Sequence, residues 1–378
     1  MCYIIRMDYV KNIYRTIHEN PELGFSEHQT AALIQDELRK NHIDFNVVEG
    51  TGVVGLIDKG AKKTVLLRAD MDALPIQEKT NLSYSSKNEN MHACGHDAHV
   101  AMLLGASANF VNNKDLESNV KLVFQPGEEG HSGGARIVRT GVMENPTVNA
   151  AHAIHVWPEF ETGTVGLKSG VLGVVVGHFN GKVKTSGGHV AETEPAMNPV
   201  HIVIDIASRI KSLNDPKKNR VQVSQIQSGN PKQCNILDQI CTVSGDVRAF
   251  SVEDLENTME QILGIFADYG KGKSIETFCE YKIYRDYPPV INDPKLHNFV
   301  RSLAVKSLKV HDIKKPYLIG EDFSNYTKNN SPLYMSLLGC SSRSKVGNNA
   351  LHTPTFTVDE NALEHGVRLH QDFVVNYR

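Results

Sequence analysis

The sequence predicts an α/β protein in which a mixed sheet with helices on both faces is interrupted by an inserted β-α-β-β-α-β unit of the ferredoxin-like kind. Three observations predict it. Strand-like and helix-like apolar stretches alternate through the first 160 or so residues. Clusters of Asp, Cys, His and Glu fall just after the strands, where open α/β sheets keep their sites. From about Val174 the order changes to strand, helix, strand, strand, helix, strand, and after Pro288-Pro289 the α/β alternation resumes.

Residues 8–19 and 26–40 carry apolar side chains at helical spacing, separated by the break His18-Glu19-Asn20-Pro21-Glu22. Strands follow at 53–58 and 64–68, the second running into Arg68-Ala69-Asp70-Met71-Asp72. A helix is expected over 100–110, a strand at 120–125, a helix near 134–140 and a strand at 150–155. In the insert, strands end near Thr185 and span 220–227, 239–247 and 274–284. Its helices cover 199–213, behind Asn198, and 252–269, capped by Ser251 with Asp254 three positions on. Beyond it come a helix behind Asp293-Pro294, a strand near 334–338 and a final helix from Asp359. There are no repeats or low-complexity segments.

At 378 residues the chain suits two domains better than one core. Hydrophobic content of 40% and charged content of 22% are ordinary for a soluble protein. A net charge of −3 gives no reason to expect nucleic acid or an anionic membrane as partner. The run before Met7, which could be the true start, is too short for a signal peptide, and nothing later approaches the roughly 20 apolar residues of a membrane span. Six scattered cysteines, Cys2, Cys94, Cys234, Cys241, Cys279 and Cys340, read as reduced thiols of a cytoplasmic protein rather than a disulfide scaffold.

The densest chemistry lies in Met91-His92-Ala93-Cys94-Gly95-His96-Asp97-Ala98-His99. A thiolate and an imidazole two residues apart, on a glycine-loosened loop at a helix start, can turn toward one divalent cation. Its companion is Phe124-Gln125-Pro126-Gly127-Glu128-Glu129-Gly130, where one carboxylate can hold metal while the other faces a water. Asp70 with Asp72, His155 in Ala153-Ile154-His155-Val156-Trp157-Pro158, and His352 in Leu351-His352-Thr353-Pro354 complete a set able to hold two cations with N, S and O donors. His99, one turn past His96, either faces the same site or backs it, and His92 is open in the same way. His131, His178, His201, His297, His311, His365 and His370 read as surface or packing residues. Within the insert, Ser186-Gly187-Gly188-His189-Val190-Ala191 sets a histidine on a flexible loop, with Asn235 and Arg248 on nearby strands. These are either turn and surface groups or a set that meets a substrate carboxylate or oxyanion.

Taken together, these residues resemble the dinuclear metallopeptidase and aminoacylase family, nearly end to end. The resemblance runs from His18-Glu19-Asn20-Pro21-Glu22-Leu23-Gly24 through Arg68 to Pro75, Met91 to His99, Phe124 to Gly130, His155 to Pro158 and Gly320-Glu321-Asp322-Phe323 to Leu351-His352-Thr353-Pro354. The Met-His-Ala-Cys-Gly-His-Asp string points to its amidohydrolase branch. The resemblance implies two divalent metal ions per chain (Zn, Mn, Co or Ni), with Cys94, His96, Glu129, His155 and His352 as ligands. It implies Glu128 as general base, Asp70 as the carboxylate that steadies a metal-bound histidine, and His189 as a stabiliser of the oxyanion, with Asn235 and Arg248 binding substrate. It also implies a catalytic domain made of 1–173 and 287–378, and a lid and dimerisation domain at 174–286 that makes the protein a homodimer or larger homo-oligomer.

Two departures lie in the lid. A common Gly-Gly-His-Ala-Ala-x-Pro-His run reads Gly187-Gly188-His189-Val190-Ala191-Glu192-Thr193-Glu194, and the usual Asn-Val-Ile-Pro reads Asn235-Ile236-Leu237-Asp238. Both bear on substrate preference rather than on the reaction. The implied activity is cleavage of the amide bond of a small N-acyl amino acid or short peptide by metal-activated water. Two rival readings are a hydrolase with Cys94 as nucleophile and a binding protein that kept the fold without the chemistry.

Overall fold

The computed structural model describes residues 7–230, 232–271, 274–327, 330–347 and 349–378. The reading of the chain start, with Cys2, lies outside them. Two compact units emerge. The first comprises the chain up to Leu172 with Val290–Lys315 and Asp322–Arg378, and the second comprises Gly173–Pro289 with Pro316–Glu321.

An eight-stranded mixed sheet is the frame of the first unit, in the order Asp44–Val48, Gly52–Ile57, Ser118–Gln125, Lys63–Asp70, Ala150–Glu161, Leu333–Ser341, Thr164–Leu167, Lys309–Asp312. Its centre is parallel: Lys63–Asp70 pairs in parallel with both Ser118–Gln125 and Ala150–Glu161, and the latter pairs in parallel with Leu333–Ser341. These strands are buried along almost their whole length, as near-continuous Val, Leu and Ala runs require when both faces are covered. Helix His96–Val111 is apolar nearly all round and is correspondingly buried. It packs against helices Met7–His18 and Asn361–Asn376 and against the central strands. Three short strands not foreseen, Asp44–Val48, Thr164–Leu167 and Lys309–Asp312, extend the sheet at its margins.

The second unit has its own core, built from Val175, Phe179, Val203, Ile206, Val243, Leu255, Ile262 and Phe266 among others. Its order is strand Val175–Lys184, helix Pro199–Lys211, strands Asn219–Ser228 and Ile240–Ala249, helix Val252–Gly270 and strand Glu276–Ile283. The four strands form one antiparallel sheet in which Val175–Lys184 lies between Ile240–Ala249 and Glu276–Ile283. Its helices begin where the sequence places caps: the Asn198 side chain accepts from Val200 N–H at 2.9 Å, and Ser251 Oγ accepts from Asp254 N–H at 3.1 Å. Pro316–Glu321, assigned from sequence to the catalytic domain, goes with this unit instead. Ile319 O accepts from Val174 N–H at 2.8 Å there, which ties the short segment to the base of the insert.

Candidate metal centre

Parallel pairing brings the chemical groups level with one another. Asp70 stands opposite Gln125, and Arg68 opposite Ala153, so His155 is reached two residues further along the neighbouring strand. Cys94 and His96 flank Gly95, whose φ of +84° is left-handed. A Cβ at Gly95 would lie 2.3 Å from Val156 Cγ2, so only glycine fits where the loop presses on the strand carrying His155. Gly127 and Gly130, both with positive φ, bracket Glu128 and Glu129, and Glu129 itself leaves helical geometry with φ −71° and ψ 79°. His352 arrives from the far end of the chain, its N–H donating to Ala93 O at 2.8 Å.

Several groups of donor atoms are drawn together within 4.8 Å, among them Cys94, His96 and His155; Cys94, Glu129 and His352; and His96, Glu128 and Glu129. Cys94 Sγ lies 3.4 Å from His155 Nε2, and His352 Nε2 lies 3.1 Å from Glu129 Oε1. All five residues expected to hold metal therefore meet, with Glu128 beside them and Cys94 common to two groups.

The donor set suits divalent transition cations. His96 donates through Nδ1–H to Asp72 O at 2.9 Å, leaving its buried Nε2 without a hydrogen-bond partner and 3.5 Å from Asp70 Oδ2. His155 likewise donates from Nδ1 to Val156 O at 2.7 Å and turns Nε2 toward Cys94. Both rings thus turn Nε2 to the site with Nδ1–H held from behind, and a cation binding there would displace any proton on Nε2. Burial alone would lower the pKa of His96, yet Asp70, Asp72 and Glu129 raise it to about 10. The same excess of negative charge favours cations.

Asp72, rather than Asp70, is the carboxylate behind His96. Its Oδ1 lies 3.2 Å from His96 Nδ1 and its Oδ2 accepts from Glu129 N–H at 2.9 Å, so one side chain braces two of the expected ligands. Asp70 instead engages His99 Nδ1 at 2.5 Å and Arg68 at 2.6 Å. Arg68, His96 and His99 hold the Asp70 carboxyl well below its usual range against the opposing effect of burial. His99 Nε2 accepts from Val156 N–H at 2.9 Å, so both its nitrogens are spent and it backs the site rather than facing it. Burial pushes His99 down to about 4, which keeps it neutral.

Beneath lies a buried network the sequence reading did not assign. Arg68 reaches Gln125 Oε1 at 3.0 Å and Asp322 Oδ1 at 2.9 Å, and Asp322 also accepts from Gln125 Nε2 and Gly134 N–H. The signal available was Asp322 in Gly320-Glu321-Asp322-Phe323, but its partner is 254 positions away. A second buried cluster joins His18 to Asp97 at 2.6 Å and to Glu78 at 3.3 Å. His370 is a packing residue, as read, pushed down to about 3 by burial.

In the second unit, His189 and Asn235 come together and Arg248 stands elsewhere. Gly188–His189 pairs with Ile236–Leu237, and Val190 N–H donates to Asn235 O at 3.1 Å. Both His189 and Asn235 are exposed, and His189 Nδ1 accepts from Ala191 N–H at 3.2 Å. Arg248, opposite Val176 on the four-stranded sheet, is engaged by Asp246 at 3.0 Å and by Leu318 O.

The pattern of peptidase family M20/M25/M40 matches residues 66–376. The chain belongs to that family. Its relatives include the IAA-amino acid hydrolase ILR1-like 4 of Arabidopsis thaliana, 33% identical over 98% of this chain and 86% of the relative. Thermostable carboxypeptidase 1 of Saccharolobus solfataricus is 34% identical, covering 98% and 95%. Among solved structures, the YXEP protein of Bacillus subtilis, described as a dinuclear metal-binding peptidase of the M20 family, superposes with a TM-score of 0.84 at 28% identity, covering 98% and 97%. As an M20 protein with this cluster of donors, the chain is a metal-dependent amidohydrolase or peptidase. Among the described residues no cysteine is disulfide-bonded, and no helix is long and apolar enough to cross a membrane.

Proposed function

We propose that this M20 protein cleaves the amide bond of N-acyl amino acids or short peptides at a centre of two divalent cations held by Cys94, His96, Glu129, His155 and His352. The observation that carries the reading is the sharing of Cys94 Sγ between two groups of donors, with Glu128 beside both His96 and Glu129. A thiol nucleophile would need His155 but has no use for Glu129 and His352. When bound, the cations supply Lewis acidity and lower the pKa of water toward neutrality.

The chain's own residues do the rest. Glu128 takes a proton from the attacking water as its oxygen bonds to the carbonyl carbon, then delivers that proton to the amide nitrogen as the C–N bond breaks. The products are a carboxylate and a free amine. His189 stabilises the developing oxyanion, and Asn235 and Arg248 hold the substrate. The inserted unit serves as lid and dimerisation surface. The names of the relatives, one a hydrolase of amino acid conjugates and one a carboxypeptidase, support an amide with a free amino acid on one side.

Glu128→Gln is the test. Turnover of an N-acyl amino acid panel by protein loaded with Zn, Mn, Co or Ni should fall by about 10²–10⁴ with bound metal unchanged. Turnover near wild type would remove Glu128 as base, and loss of metal would make it a ligand.

A further inference from the structure

Wholly within the first unit is a half-open cavity of about 370 Å³ lined by Trp157, Pro158, Glu159, Asn349, Ala350 and Leu351 among others, none of them an expected metal ligand. Two of these adjoin expected ligands. Trp157 is two residues beyond His155 on the same strand, so both side chains project to the same face, with ring centroids 5.9 Å apart. Leu351 precedes His352. The volume is enough for one small apolar group seated on a site that stays open to solvent on one side.

The lining determines what fits. Trp157 is 5% exposed, Pro158 is buried and Leu351 is partly buried against the main core, so these walls are apolar and held in place. The Asn349 amide is turned inward: Nδ2 donates to Ser341 Oγ at 3.0 Å and Thr357 O at 2.7 Å, and Oδ1 accepts from Thr357 N–H at 2.9 Å. It offers the cavity little hydrogen bonding. Glu159 is exposed at the rim.

Resting on the hydrolase reading above, we infer that this cavity is a specificity subsite that takes a bulky, uncharged apolar group next to the scissile amide, packed against Trp157, Pro158 and Leu351. That group is either the acyl portion or the amino acid side chain, and the two are separable by experiment.

Trp157 is the one tryptophan in the sequence, so its emission reports occupancy directly. Metal-loaded Glu128→Gln protein would be titrated with N-phenylacetylglycine, bulky on the acyl side, with N-acetylphenylalanine, bulky on the amine side, and with N-acetylglycine and N-acetylglutamate as controls. The expected result is a saturable change with one of the two bulky compounds and none with the controls at the same concentrations. Which one responds assigns the side. Ala350→Phe, which narrows the cavity from an exposed position, should weaken that response about tenfold, and Trp157→Ala should lower the kcat/KM ratio of bulky to acetylglycine substrates by a similar factor. Emission indifferent to both bulky compounds, or a response unaltered by Ala350→Phe, overturns the subsite. A response in protein whose wild type hydrolyses none of these compounds with any metal retains the cavity as a binding site and removes the reaction proposed above.

Discussion

The metal centre and the loop carrying His189 solve opposite problems. In the centre, Asp70 and His96 are fully buried, and Cys94, Glu128 and His155 are 6–7% exposed. His96 and His155 are oriented from behind by Asp72 and Val156, and Asp70 by Arg68 and His99. Around His189 and Asn235 the side chains are exposed, and the bonds that shape the loop are mostly backbone ones. Buried polar groups need partners when the chain folds, so Asp70, His96 and His155 are fixed from behind by their own unit, while Glu129 and the exposed His352 close the open side of the centre. An exposed loop carries no such requirement.

Substitutions separate the two regimes. The largest effect is expected for His96→Ala, which should bring activity to background and lower bound metal as measured by elemental analysis. His189→Ala should leave metal content unaltered and reduce kcat by about 10²–10³. Metal loss in that variant would break the distinction between the regions. Asp72→Ala should weaken metal affinity by about tenfold in chelator competition, because it frees Glu129 N–H and takes the carboxylate from His96 Nδ1, whose bond to the Asp72 backbone carbonyl is kept. An unaltered affinity would show that the Asp72 carbonyl alone orients His96 and that its carboxylate braces nothing.

A smaller effect concerns pH and the buried His18 cluster. Burial lowers the pKa of His18, but Asp97 and Glu78 outweigh it and raise His18 to about 10 from 6.5. The folded protein therefore holds a proton that the unfolded chain releases, and the stability from this pairing is complete below about 6.5 and lost as pH rises toward 10. Glu78, lowered to about 2 from 4.5, loses its share as pH falls across that lower window. Thermal melts should show wild-type Tm declining from pH 6.5 to 10 more steeply than that of His18→Gln. Parallel profiles would show that His18 is not charged in the folded state.

Legibility followed the same division. Cys94, His96, Glu128 and Glu129 were readable because their local chain geometry is written beside them, in Gly95, Gly127 and Gly130. Asp70 and Asp72 were readable as a pair but not by role, since two carboxylates two residues apart are told apart only by where His96 and His99 stand. Asp322 stood in a noticeable Gly320-Glu321-Asp322-Phe323 stretch, but its duty could not be read there because its partner Arg68 is 254 positions away. The strands Asp44–Val48, Thr164–Leu167 and Lys309–Asp312 escaped because four or five residues at the margin of a sheet carry little periodicity. Capped helices were placed to within a few residues, whereas the strand expected at 150–155 runs on to Glu161.

The attachment of Pro316–Glu321 to the inserted unit bears on its modularity. A gene fragment covering 173–289 alone would encode all four strands and both helices of that sheet, yet would strip Val174 N–H and the Arg248 guanidinium of the Ile319 and Leu318 carbonyls. Transplanting the unit between relatives therefore means moving two stretches of chain, with the hexapeptide travelling alongside the larger piece.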